Sequence, residues 1–199
     1  MKHILLTSII LISLASCKAQ QIITPIFNNP TPAHTPNNYY KDVDGDFDKF
    51  IGTWKFQNTD AEFIIELRKE LHYLTPSNYY KDLLIGEYLY KKNNIIQINT
   101  LENMDNSLIS GYQHSVSGKN IIHKANTPVC DACTIQERRV QLLISLPNHN
   151  HIMGWLTLRH IIDNGIEKLE ATINNASIMG YDMIDFNKMP WGNFTLIKQ

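Results

Sequence analysis

The sequence predicts an all-β fold, an antiparallel meander that closes into a barrel of about 8–10 strands. Three observations carry this. From Phe50 onward the chain falls into short runs rich in Ile, Leu, Tyr and Thr. Turn residues separate those runs, and no stretch has the period of an amphipathic helix. A meander of that length must close, or fold over on itself, to avoid unpaired edges.

Each element follows from a local pattern. Ile51 to Gln57 is the first strand. In the second, Phe63, Ile65 and Leu67 alternate with Glu62, Ile64 and Glu66, which puts one set on each face. Leu83 to Lys91 ends at Asn93-Asn94, a pair that tolerates positive φ and suits a two-residue turn into Ile95 to Thr100. Leu108 to Val116 and Asn120 to Lys124 flank Ser117-Gly118-Lys119, read as a turn. Val140, Leu142, Ile144 and Leu146 alternate up to Pro147-Asn148. His151 to Ile162 runs into Asp163-Asn164-Gly165, where Asn-Gly fits a type I′ turn, and Ile166 to Ile173 returns. After a long loop over 174–192, Asn193 to Lys198 is the last strand.

The N-terminus has a different character. Lys2 and His3 precede a short apolar run, Ile4 to Leu14, too short for a bilayer core of about 30 Å. Residues 1–19 therefore read as a signal peptide. Two cleavage sites compete. Leu14-Ala15-Ser16-Cys17 matches a lipobox at every position and would leave Cys17 lipidated. Cys17-Lys18-Ala19 before Gln20 would serve an ordinary signal peptidase. The chain is thus expected outside the cytoplasm, as an outer-membrane or periplasmic lipoprotein or otherwise secreted. Residues 20–46 hold Pro25, Pro30, Pro32 and Pro36 among Asn, Thr and Gln, the composition of a flexible tether. Residues 47–199 form the single barrel domain.

The balance of 18 basic and 19 acidic residues offers no basic face for nucleic acid. With Cys17 removed or modified, Cys130 and Cys133 remain as a pair, expected to form a short disulfide in an oxidising compartment. Cys130-x-x-Cys133 lacks the helix N-terminus of a redox motif and the further ligands of a zinc site. His149 and His151 beside Pro147-Asn148 read as a solvated turn. The acidic run Asp42 to Asp48 departs from a calcium loop, with Phe47 where that loop needs Gly. No nucleophile elbow or acid–base pair emerges. The expectation is a protein without catalytic residues, metal or cofactor.

The segment Phe50-Ile51-Gly52-Thr53-Trp54-Lys55-Phe56 resembles the opening strand of the lipocalin and fatty-acid-binding (calycin) superfamily. That resemblance implies that Trp54 closes the base of the barrel and that a basic residue of the last strand, Lys198 by position, packs over it. The chain also resembles a group of short exported bacterial proteins of unknown function. That likeness rests on the same opening strand, on Asp82-Leu83-Leu84-Ile85-Gly86-Glu87-Tyr88, on Ile98-Asn99-Thr100-Leu101 and on Thr195-Leu196-Ile197-Lys198-Gln199. Two functions are expected from different classes. One is a barrel binding a small apolar or amphipathic ligand through Trp54, Phe56, Tyr88, Tyr90, Tyr112 and Trp155. The other is an accessory cell-envelope protein that binds another protein, through aromatic residues such as Tyr181, Phe186 and Trp191.

Overall fold

The computed structural model describes residues 21–27, 34–147, 149–176 and 183–199; of residues 149–151 and 183–184 it describes the backbone alone. Among the described residues eleven strands follow one another: β1 (Ile23–Pro25), β2 (Tyr39–Lys41), β3 (Gly52–Gln57), β4 (Ala61–Leu74), β5 (Tyr80–Lys92), β6 (Ile95–Asn99), β7 (Val116–Ile122), β8 (Arg139–Leu146), β9 (His149–Asp163), β10 (Ile166–Asn175) and β11 (Gly192–Lys198). A single α-helical turn, α1 (Met183–Phe186), precedes β11. The order β5-β4-β3-β11-β10-β9-β8-β7 returns to β5, so eight antiparallel strands close a barrel. Closure leaves those strands no free edge.

The alternation read from the sequence sets the faces. Phe63, Ile65 and Leu67 of β4 are fully buried, as are Val140, Leu142 and Ile144 of β8. Both expected two-residue hairpins form. Asn93 and Asn94 stand at φ 52° and 59°, and Asn164 and Gly165 at 52° and 79°, which suits the right-handed twist of the strands they join.

Closure happens at one place on β5. Gly86 is opposite Leu67 of β4 on one side and Val116 of β7 on the other. A Cβ on Gly86 would lie 2.7 Å from the Glu66 carbonyl oxygen and 2.7 Å from Leu67 Cδ2. Glycine here lets the backbones and core side chains come close. The second edge of β5 is shared in turn by β2 at Tyr80–Lys81, β7 at Leu84–Gly86 and β6 at Leu89–Lys92.

Two expectations are corrected. Residues 39–46 are not a solvated tether. Tyr39 and Tyr40 are buried, and β2 pairs parallel to β5 and to β1. The Asp42 carboxylate accepts from the backbone of Asp46 and Phe47 and meets Lys69 Nζ at 2.8 Å, so this acidic stretch folds onto the barrel wall. Nor do residues 108–119 form a strand and a turn. Leu108 is exposed, and 3₁₀ turns cover Leu101–Asp105 and Gly111–Gln113. Ser117, Gly118 and Lys119 lie inside β7. A Cβ on Gly118 would stand 3.0 Å from Leu142 Cδ2, so that glycine serves close strand packing, with a bulge between Ser117 and Asn120.

Candidate binding site

The residues expected to line a ligand cavity separate into three groups. Trp54, Tyr88 and Tyr90 join one buried core with Phe63, Ile65 and Leu142, so they fill the interior. Trp54 Nε1 donates to the Phe50 carbonyl at 2.8 Å, and Lys198 Nζ lies 5.3 Å from its ring centroid. This is the closing arrangement implied by the calycin resemblance. Lys198 also meets Glu167 at 2.8 Å, and a Cβ on Gly52 would already be 3.5 Å from the lysine stem. The Tyr88 hydroxyl donates to the Ser145 carbonyl at 2.9 Å, which satisfies the polar end of a buried ring. Burial, and secondarily the charge of Glu87, push the Tyr88 phenol above its ordinary value.

Tyr112 and Trp155 do not face the interior. Tyr112 belongs to the Gly111–Gln113 turn outside the barrel. Trp155 alternates with the buried Leu156 and Leu158 on β9 and so points outward, 37% exposed. Phe186 and Trp191 do not form an exposed patch either. Their rings stack at 4.7 Å, Trp191 Nε1 donates to the Phe186 carbonyl, and the Trp191 ring crowds Gly154 of β9. Tyr181 and Cys17 lie outside the described residues.

Phe56 marks a gap in the wall. β11 pairs with β3 only through Ile197–Lys55 and Lys198–Trp54. It pairs with β10 along its length, from Lys168–Ile197 to Ile173–Gly192. Toward Gly192 it therefore diverges from β3. Phe194 fills the widening seam, 5.2 Å from the Phe56 ring and 5.2 Å from Phe63. Beside these rings opens a cleft of about 440 Å³. Phe56, Phe194 and Ala171 give it an apolar floor, and Glu170, Thr172 and Asn193 give it a polar rim. Thr172 Oγ1 donates to Asn193 Oδ1 at 2.8 Å, and Arg159 holds Glu170 at 3.0 Å. A mixed cleft of this kind suits an amphipathic molecule.

Three charged residues of β5 escaped the sequence reading. Asp82 accepts from the Tyr39 hydroxyl at 2.5 Å and from the Asp42 backbone at 3.0 Å. Glu87 Oε1 is 2.9 Å from His114 Nδ1, and both side chains are buried. Burial opposes ionisation of Glu87, but hydrogen bonding, led by His114 and joined by the Ser115 backbone, outweighs it and holds the carboxyl below its ordinary value. Lys81 is buried as well. Their signal in the sequence was a set of charges inside the apolar run of β5, a strand without clean alternation and so covered on both faces.

Cys130 and Cys133 are joined by the expected disulfide, with Cα atoms 5.4 Å apart. Arg139 organises the loop around it, donating to the carbonyls of His123, Asn126 and Pro128. Among the described residues no group of three or more His, Cys, Asp or Glu could hold a metal ion.

The chain belongs to DUF6705. This is a family of unknown function, matched over residues 1–199. No curated protein and no solved structure matches the chain. The DUF6705 barrel is thus described by its own geometry: a filled interior, a lateral cleft at the β3–β11 seam and buried charges along β5.

Proposed function

We propose that this DUF6705 chain is an exported binding protein, anchored by lipid on Cys17, that takes a small amphipathic ligand at the β3–β11 seam. The interrupted seam carries the reading. A barrel wall paired through only two residue pairs, with Phe56 and Phe194 wedged in the gap, can admit an apolar group while Glu170 and Asn193 meet a polar end. The role is a carrier's rather than a catalyst's. Apolar contact supplies affinity and a few polar groups supply orientation. The lipobox at Leu14-Ala15-Ser16-Cys17 and the disulfide in a three-cysteine chain support the extracytoplasmic setting.

A second reading, an accessory envelope protein that docks another protein, draws on the filled interior and the outward Trp155. Native mass spectrometry of protein purified from its own cell separates the two. A co-purifying small molecule lost in Phe194→Ala supports the carrier. A bare domain with a bound protein subunit supports the accessory role and refutes the carrier. The intact mass of the same sample tests the anchor: a diacylglyceryl addition on a chain starting at Cys17 supports it, and a chain starting at Gln20 refutes it.

A further inference from the structure

Where β2, β5, β7 and the Gly111–Gln113 turn meet, two lysines and a histidine surround a tyrosine cluster. The Tyr40 and Tyr79 rings pack edge to face at 5.4 Å. The His34 ring lies 4.7 Å from Tyr40 and 4.3 Å from Tyr79. Lys119 Nζ is 5.6 Å from the Tyr40 centroid. Lys81 Nζ is 5.4 Å from that of Tyr79 and 4.1 Å from that of Tyr112, whose hydroxyl accepts a hydrogen bond from it.

The cluster is rich in donors and poor in acceptors. Among the described residues no carboxylate pairs with Lys81 or Lys119, whereas Lys55, Lys69, Lys91, Lys168, Lys188 and Lys198 each meet one. Having accepted from Lys81, the Tyr112 hydroxyl keeps its own proton to donate. His34 Nδ1 is enclosed without a hydrogen-bond partner. Such a group is costly to leave unmade. Lys81 itself is only 3% exposed.

We propose that Lys81, Lys119, Tyr112 and His34 form a binding site for a compact oxyanion, a free phosphate or the end of a phosphomonoester. Two ammonium groups and two neutral donors match the several acceptor oxygens of a tetrahedral anion. The electrostatics agree with the geometry. Burial and, next, the Lys119 charge bring Lys81 down from 10.5 to about 8. Burial, Lys119 and Lys81 lower His34 in that order, and burial lowers Lys119. A bound anion offsets each of these costs.

The test is a titration of the purified protein, in a chloride-only buffer, with inorganic phosphate and in parallel with phenyl phosphate, followed by amide chemical shifts. Saturable shifts centred on residues 34, 81, 112 and 119 are expected. Lys81→Gln and Lys119→Gln should each weaken binding by about tenfold, the loss expected for a charge-assisted hydrogen bond, while Lys92→Gln leaves it unchanged. Lys119 is partly exposed, so its variant keeps the test valid where Lys81→Gln fails to fold. Tighter phosphate binding assigns a free anion, and tighter phenyl phosphate binding assigns a phosphomonoester. No saturable change with either up to about 20 mM, or equal binding by wild type and Lys119→Gln, overturns the site.

Discussion

Replacing Gly86 by alanine tests whether barrel closure depends on close approach at that position. Two effects oppose each other. An alanine in an ordinary strand restricts the unfolded chain and stabilises by about 0.4–1 kcal/mol. Here the new methyl would stand 2.7 Å from the Glu66 carbonyl oxygen, 2.7 Å from Leu67 Cδ2 and 3.4 Å from Val116 Cβ. Two of those neighbours belong to β4 and the third to β7, so relief at one strand presses on the other. Forcing an extra methyl into a packed core costs about 1–3 kcal/mol. The balance is a loss of about 1–2 kcal/mol, a fall in Tm of about 2–8 °C for a domain of this size. Urea and thermal unfolding of Gly86→Ala measure it. Leu67→Ala removes one of the two closest contacts, so the double variant should lose less than the two single variants together. A Tm equal to or above wild type refutes the closure argument, because the sign is then that of an uncrowded glycine.

Three further outcomes follow from the same geometry. Lys81 has a folded pKa of about 8 against 10.5 unfolded, so the unfolded state holds the proton more tightly. Stability therefore rises as pH climbs from about 8 toward 10, and a urea series over that range should flatten in Lys81→Gln. Cys130→Ser with Cys133→Ser opens a loop of sequence separation 3, and loop-closure entropy puts the loss at about 2 kcal/mol by urea unfolding. His114→Ala strips the buried Glu87 carboxylate of its 2.9 Å partner, and unfolding should show a loss of about 3–5 kcal/mol. Glu87 is held below its ordinary value, so its contribution is present above the unfolded pKa of 4.5 and lost as pH falls through the lower folded value. The His114→Ala variant should accordingly unfold at a less acid pH than wild type.

The strands were legible in the sequence because their information is local. The alternation of Phe63, Ile65 and Leu67, the Asn-Asn and Asn-Gly turns, and the Trp54–Lys198 pairing each depend on a short segment or on one family resemblance. What failed depended on long-range packing. Trp155 sits in β9 with apolar residues on both faces, Ile152, Leu156 and Leu158 on one and Met153 and Trp155 on the other. Hydrophobicity alone cannot set the parity of such a strand, and a shift of one residue exchanges the faces. Leu108, Ser110, Tyr112 and His114 alternate in spacing, yet Ser110 and Gln113 make a capping box around a 3₁₀ turn, and local side-chain bonds of this kind compete with a strand. Composition groups residues 39–46 with the prolines before them and so hides the two tyrosines, Tyr39 and Tyr40, that dock this stretch.

The covered outer face of β5 links these misreadings. In a small barrel the outer face of a strand normally meets water, and Lys81, Leu83, Ile85, Glu87 and Leu89 occupy alternate positions on one face of β5. All five are buried. The inner positions Leu84 and Tyr88 belong to the core cluster, and the outer ones do not. Something must cover that outer face, and two segments do. Met104, His114 and Ser115 are buried in the 100–115 connection, with Ser115 donating its backbone N–H to Glu87. Tyr39 and Tyr40 pair with the start of the same strand. A polar group buried beneath such a cover must find its partner in the cover itself. Glu87 does so in His114, while Asp82, on the opposite face at the strand's start, is met by the Tyr39 hydroxyl and by the backbone of Asp42 and His72. Among the described residues Lys81, alone of the three, meets no group of opposite charge: its ammonium lies on Tyr79 and Tyr112 and feels the charge of Lys119. The same burial logic that explains two of these charges as structural leaves the third one short of an anion.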